Sequence, residues 1–352
     1  MDPALAHLGE FGLIGLIRER MRHRSPGTVL GIGDDAAVLR PEADAEVIAT
    51  TDMLLEGVHF QRHWGCPREL GRKTLAVNLS DIAAMGGRPQ HALLGLGVPP
   101  SGVPLAEIEA LLAGLEEEAA AYGVALVGGD TCASRSGLVL SVTLLGVVAA
   151  GRAILRSGAH PEETVWVTGR LGGSAAGLLA LESGLRPDSP WPAGLPRPTW
   201  IGPAEEAALQ AGLRAHLLPV PRLAIGQALV GCATAMIDVS DGIASDLGHL
   251  CAESRVGARI QAGRVPIHPA AAVVGRWLGR DPLDLALRGG EDYELLFTSR
   301  ADPRPRLLAV APELEVTPLG AVVAEPLGAR LETADGREHA MAGGFDHFSA
   351  AP

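Results

Sequence analysis

The sequence predicts an α+β chain of two domains, an N-terminal α/β domain and a C-terminal α/β domain. Three observations carry this. Segments with strand alternation and segments with helical periodicity follow one another from end to end. The 352 residues are enough for two cores. A turn-rich segment, GRAILRSGAHPEE (151–163), precedes a fresh strand and sets the boundary between domains 1–150 and 151–352.

Residues 9–24 read as a helix, and 36–39 and 46–51 as strands with the turn PEADA between them. A long helix over 68–85 stops at Gly86–Gly87, with Pro89 beyond. A strand at 91–98 follows, then a helix over 104–121 with Leu105, Ile108, Leu111, Leu112 and Leu115 on one face. Strands at 124–128 and 138–148 close the first half. The second half opens on the strand TVWVTG (164–169) and a helix over 171–184. A proline-rich loop (186–203) leads to helices near 204–215 and 222–231. Next come a strand at 234–238, a helix at 243–254, a strand near 258–261 and a helix at 269–279. A strand at 294–298 and two strands near 316–333 complete the pattern, which suits a two-domain enzyme with its cleft between the halves.

Apolar residues make up 47% of the chain and charged residues a fifth, as in soluble globular proteins. A formal net charge of −12 argues against a nucleic-acid or anionic-membrane partner. The first residues have neither the basic head nor the apolar run of a signal peptide. The longest apolar stretch, 138–148, is too short to span a bilayer, so a cytoplasmic location is expected. Cysteines 66, 132, 232 and 251 have no paired spacing and read as reduced thiols. Lys73 is the sole lysine. Either a GC-rich genome favours arginine codons, or this position needs a compact ammonium rather than a wide guanidinium.

Aspartate recurs after apolar segments, beside Gly, Ser or Thr: GIGDDAA (31–37), TTDMLLEGVHF (50–60), NLSDIAAMGG (78–87), LVGGDT (126–131) and IDVSDG (237–242). Any one of these suits a turn aspartate capping its own backbone, but five with similar neighbours suit a hard-cation site of oxygen ligands. On the 68–85 helix Thr74, Asn78, Asp81 and Met85 share a second face, where a merely solvated face would carry Glu and Arg. Two carboxylates about 4 Å apart repel by about 4 kcal/mol at an effective dielectric near 20, so a cluster must bind cations or take up protons. Mg²⁺ shared with substrate phosphates satisfies this and makes phosphoryl transfer the leading chemistry. The glycine-rich TGRLGGSAAG (168–177) is either a phosphate contact or tight strand–helix packing; it fits neither standard nucleotide loop. In RGGEDYELLF (288–297), Glu291 and Asp292 can face a ligand. His59 and His63 are spaced HxxxH, but the flanking sequence is not helical, which disfavours zinc.

The blocks GIGDDAAVL, TTDMLLEGVHF, KTLAVNLSDIAAMGG, LVGGDT, RAILRSGAHP, IDVSDGIASDLGH and RGGEDYELLF run in order from 31 to 297, and GGFDHF (343–348) follows. In these the chain resembles the thiamine-monophosphate kinases. Their superfamily includes aminoimidazole ribonucleotide synthetase, selenophosphate synthetase and the hydrogenase maturation factor. The resemblance implies ATP-dependent phosphorylation of thiamine monophosphate to thiamine diphosphate by a homodimer, with N-terminal strands pairing into an intersubunit barrel. It implies that the first domain binds metal and ATP and that the second completes the substrate cleft. Carried over by position, the Mg²⁺ set is Asp35, Thr50, Thr51, Asp52, Asp81, Asp130, Asp238 and Asp241. ATP contacts are Tyr122, Gly129, Asp130, Arg156 and Ser240, and substrate contacts are His59, Glu291 and Phe345. Lys73 is a further phosphate candidate. Phe345 stands where the family often has Trp or Tyr, and Pro161-Glu162-Glu163 replaces the usual Pro-Gly-Asp.

The attacking atom would be an oxygen of the acceptor's own phosphate, mostly anionic at neutral pH, so neither a general base nor a covalent nucleophile is expected. A different synthetase of the superfamily and a non-catalytic cation- or nucleotide-binding module are the alternatives; the EGVHF and GGEDYEL blocks count against the former.

Overall fold

A computed structural model describes residues 3–32, 36–99, 102–324, 328–341 and 343–344, with side chains from residue 12 onward. The chain forms two compact units, one of Met1–Ile82 and Gly87–Gly151, the other of Ala83–Gly86 and Arg152–Pro352.

The first unit contains α1 (Pro3–Arg20), β1 (Thr28–Leu30), β2 (Val38–Leu39), β3 (Ala45–Leu55), α2 (Pro67–Ala84), β4 (Arg88–Val98), α3 (Leu105–Tyr122), β5 (Ala125–Ala133) and β6 (Val139–Ala149). Its main sheet has the order β3-β6-β4-β5, with β4 and β5 parallel and the other pairs antiparallel. The α2 helix starts where the Cys66 N–H donates to Glu69 Oε2 at 2.9 Å. It buries Leu75, Leu79, Ile82 and Ala83. The α3 helix buries Ile108, Leu111, Leu112 and Leu115 and ends at Gly123 in the left-handed region (φ 69°). One sheet face is therefore core, with Leu54, Leu94, Leu140, Val142 and Leu144 buried. The other leaves Val47, Met53 and Leu93 exposed. The turn after Leu39 does not make a hairpin: β2 pairs with β1, while β3 pairs with β6.

The second unit contains β7 (Thr164–Thr168), α4 (Gly173–Glu182), α5 (Pro203–Leu217), α6 (Leu223–Leu229), β8 (Ala235–Asp238), α7 (Ile243–Ser254), β9 (Gly257–Gln261), α8 (Pro269–Leu278), α9 (Pro282–Arg288), β10 (Leu295–Ser299), α10 (Arg304–Leu308), β11 (Val316–Val323), β12 (Gly328–Glu332) and β13 (Glu338–Ala340). Among the described residues its sheet runs β13-β12-β9-β11-β7-β10-β8, and only β9 and β12 pair in parallel. Val165, Val167, Ile237, Ile260, Leu296 and Leu319 on one sheet face form a core with Leu247 and Leu250 of α7 and Leu287 of α9. Helices α9, of seven residues, and α10, of five, were not expected from periodicity. Local signals mark both: Asp281 caps Leu283 N–H at 3.0 Å ahead of Pro282, and Asp302 accepts from Arg304 N–H at 3.0 Å. The proline-rich loop is tied to α8 by Trp191 against Trp277 (centroids 5.2 Å apart) and by Arg276 over Trp200 (4.1 Å).

Candidate functional site

In the first unit Thr50, Asp52 and Asp81 come together. Strand alternation turns Thr50 and Asp52 toward α2, and Asp81 meets them from that helix. The Thr50 hydroxyl donates to Asp81 Oδ2 at 2.5 Å. Asn78, fully buried in mid-helix, accepts the Asp52 N–H at 3.1 Å and donates to Thr74 O at 3.2 Å. Among the described residues β3 is an edge strand, so Asn78 satisfies a backbone donor that no neighbouring strand takes. Burial, and then the Asp81 charge, push the Asp52 carboxyl up to about 6.

The same alternation separates two other expected ligands. Thr51 points to the opposite face, where its hydroxyl donates to Val142 O (3.1 Å) and accepts from Thr143 (3.1 Å). Asp130 lies opposite Gly95 on that face too. The row Asp52, Val142, Leu94, Gly129 puts three strand spacings, about 14 Å, between Asp52 and the β5 strand. Asp130 and Gly129 instead line a cavity of about 1020 Å³ with Thr143, Ser141, Ile32 and Ala36. A Cβ on Gly129 would lie 2.0 Å from Leu94 O, so no side chain fits there.

Tyr122 closes α3 and is not among the residues that line that cavity. Lys73 is buried at 2% exposure. His59 Nδ1 accepts the Leu55 N–H at 3.1 Å, which leaves the ring proton to Nε2 and caps the end of β3. Asp35 and Phe345 lie outside the described residues. Among the described residues, no group of three or more His, Cys, Asp or Glu is arranged to hold a metal ion.

In the second unit β8 delivers the buried Asp238, and the turn beyond it carries Ser240 and Asp241. Asp246, one turn into α7, accepts both turn N–H groups, from Ser240 (3.1 Å) and Asp241 (3.3 Å). Burial, and then Asp238 and Asp241, raise its carboxyl to about 8. Glu291 N–H donates to Ser240 O at 2.7 Å, so the 288–297 block lies against this turn. Gly344 touches it as well: a Cβ there would be 2.5 Å from Asp241 O. Arg156 is exposed; its carbonyl accepts from Ser254 Oγ at 2.8 Å.

Asp292 is engaged by the 168–177 loop. It turns inward and accepts from Gly172 N–H (2.7 Å) and Ser174 N–H (3.2 Å) at the start of α4. The Asp292 carboxyl thus occupies the place that a phosphate would take in 168–177, which leaves the tight-packing reading of that loop. Beside it, Glu294 binds Arg222 through two bonds (2.8 and 2.5 Å) and the Thr168 hydroxyl (2.6 Å).

The family model for the AIR synthase related protein, N-terminal domain, matches residues 33–148. The thiamine-monophosphate kinase of Bacillus subtilis (strain 168) is 38% identical over 293 residues, covering 83% of each chain. The chain belongs to the thiamine-monophosphate kinase family. The crystal structure of the kinase from Stenotrophomonas maltophilia K279a is similar, with a TM-score of 0.77, at 39% identity over 92% of this chain and 96% of that one. So is AaThiL complexed with AMPPCP and TMP, with a TM-score of 0.73, at 31% identity and 98% coverage of both. The fold is accordingly the mixed α/β fold of this kinase family, and the enzyme class expected from the sequence blocks holds. The sequence reading passed over Asn78 as a strand cap and Asp246 as the anchor of the aspartate turn, both inside those blocks, and Ser174 and His216 near Glu291, both outside them. Asp246 had a readable signal, a carboxylate four residues after Gly242. His216 had none, because its partners are distant in sequence.

Proposed function

We propose that the protein transfers the γ-phosphoryl group of ATP directly to thiamine monophosphate, in line, giving ADP and thiamine diphosphate. The observation that carries this is the joined oxygen set of Thr50, Asp52 and Asp81, in a chain similar at full length to a protein complexed with AMPPCP and TMP. The residues fit Mg²⁺: all three side chains offer oxygen, and two half-buried acids this close favour a cation between them. Bound there, Mg²⁺ would offset the charge of the phosphates being brought together.

Thr50, Asp52 and Asp81 would make one cation site, held in register by Asn78. Asp130, with Gly129, would serve the nucleotide from the cavity side, and Thr51 lies on that face. Asp238 and Asp241 are a second carboxylate pair, fixed through Asp246; Asp35 completes the proposed ligands. Tyr122, Arg156 and Ser240 are the remaining proposed ATP contacts, and His59, Glu291 and Phe345 the substrate contacts. No side chain acts as nucleophile or base, since the acceptor phosphate already carries charge. In this reading the enzyme is a cytoplasmic homodimer, and the open sheet face bearing Val47, Met53 and Leu93 closes into the intersubunit barrel. The proposed metal and ATP contacts thus come from both units, and the substrate contacts are His59 of the first and Glu291 and Phe345 of the second.

The decisive experiment supplies ATP and Mg²⁺ with and without thiamine monophosphate. ADP should form only when the acceptor is present, with thiamine diphosphate in equal amount. ADP release independent of the acceptor, or none at all, would reject the reading.

A further inference from the structure

Glu291 is held by two separate devices. Its backbone adopts a left-handed conformation (φ 55°), which a non-glycine residue rarely takes, and its N–H donates to Ser240 O at 2.7 Å. Its carboxylate Oε2 lies 3.1 Å from Nδ1 of His216, in the last turn of α5. The same nitrogen lies 2.9 Å from Ser174 Oγ, in the first turn of α4. His216 and Ser174 are buried at 3% and 1% exposure, while the Glu291 side chain keeps 24%. A carboxylate only accepts, so its contact with the ring needs the proton on Nδ1. Ser174 Oγ is then a second acceptor of that shared hydrogen and stops the ring from turning.

Local packing fixes the ring's place. Helices α4 and α5 approach so closely that a Cβ on Gly177 would lie 2.0 Å from Gly212 O and 3.1 Å from the His216 Cβ. The loop itself does not depend on the Glu291 side chain. It is closed by Asp292 on the start of α4, by the Glu291 N–H and by Tyr293 N–H donating to Val239 O at 2.9 Å. What the His216 contact adds is a direction for the carboxylate of a side chain that keeps 24% exposure, on a residue whose N–H is bound to Ser240 O.

We infer that His216, backed by Ser174, is a positioning residue for substrate selection: it aims the Glu291 carboxylate at the cationic, N–H-donating heterocycle end of the acceptor. The charge decides which end. A fixed carboxylate repels the acceptor's phosphate and attracts a thiazolium or an aminopyrimidine N–H. This rests on the reading that Glu291 touches thiamine monophosphate.

The test compares His216→Leu, which removes the donor, with His216→Asn, whose amide N–H can stand where Nδ1–H stands. His216→Leu should raise KM for thiamine monophosphate about tenfold or more, the scale of a lost bond to a charged group. KM for ATP and kcat should stay within about twofold of wild type. His216→Asn should restore most of the loss. Should leucine disturb the α4–α5 contact, seen as a lowered melting temperature, His216→Gln replaces it, with its amide one carbon too far out and the same expectation. Glu291→Gln should raise KM for thiamine monophosphate alone, and adding His216→Leu to it should raise KM no further. If Glu291→Gln leaves that KM unchanged, the contact between Glu291 and substrate is wrong. If it raises KM but the His216 change does nothing, or adds its full effect on the Glu291→Gln background, the positioning role is overturned while the contact stands.

Discussion

At the scale of single residues, the charged side chains are held in ways that can be measured. Asp52→Asn should lower turnover by at least roughly 100-fold, and Asn78→Ala, which leaves every oxygen ligand in place, by roughly tenfold. Turnover at limiting Mg²⁺, with circular dichroism as the fold control, checks both; an Asp52→Asn enzyme of normal activity would remove the cation site. Asp292 gives a pH effect on stability. Its burial raises the carboxyl to about 7, against bonds from the α4 N–H groups that lower it. The folded form therefore keeps a proton that the unfolded chain gives up near 4. The stabilisation from this group is complete below about pH 4 and lost as pH rises to about 7, on the order of 1 kcal/mol per pH unit. Urea unfolding at several pH values should show that decline in the wild type and a flatter profile in Asp292→Asn. Residue identity alone could not reveal this, since Asp292 reads in sequence as a second acid beside Glu291. The left-handed turn that sends the two side chains different ways is set by tertiary contacts. Glu162 adopts a φ of 71°, which glycine takes freely and other residues do not, so it carries a small local strain.

At the scale of elements, long periodic segments were legible and short ones were not. The helix expected over 68–85 is α2 at Pro67–Ala84, and the one over 243–254 is α7 at Ile243–Ser254, because their apolar spacing is local and α2 also stops at Gly86–Gly87. The strand expected at 46–51 runs to Leu55, since the edge strand β3 continues its pairing with β6 beyond the aspartate. The aspartate-bearing turns could be found from their neighbours, but not which sheet face each acid takes; that depends on register across four strands. Lys73 belongs here as well, because burial inside α2 changes what its solitary state implies. Lys73→Arg should cost about 1–3 kcal/mol through overpacking, seen as a lowered melting temperature. An unchanged melt with unchanged ATP affinity would leave codon preference as the reason for its being alone.

At the scale of the whole molecule, the exposed apolar residues of the first sheet are the test of assembly. Met53→Lys places a charge on a residue with 52% exposure in the isolated chain, so it should spare folding and convert a dimer to monomers in sedimentation. If the wild-type chain sediments as a monomer, the barrel is wrong. Among the described residues no helix is long and apolar enough to cross a membrane. The family itself was legible because seven blocks keep their order over most of the chain, whereas contacts such as those of Trp191 and Trp200 join segments with no shared pattern. The burial of Lys73 has one practical consequence. The chain carries a single side-chain amine, and folding hides it. Acylating reagents should find that amine only in molecules that have opened, so the rate of labelling at one atom would serve as a clock for the opening of the protein.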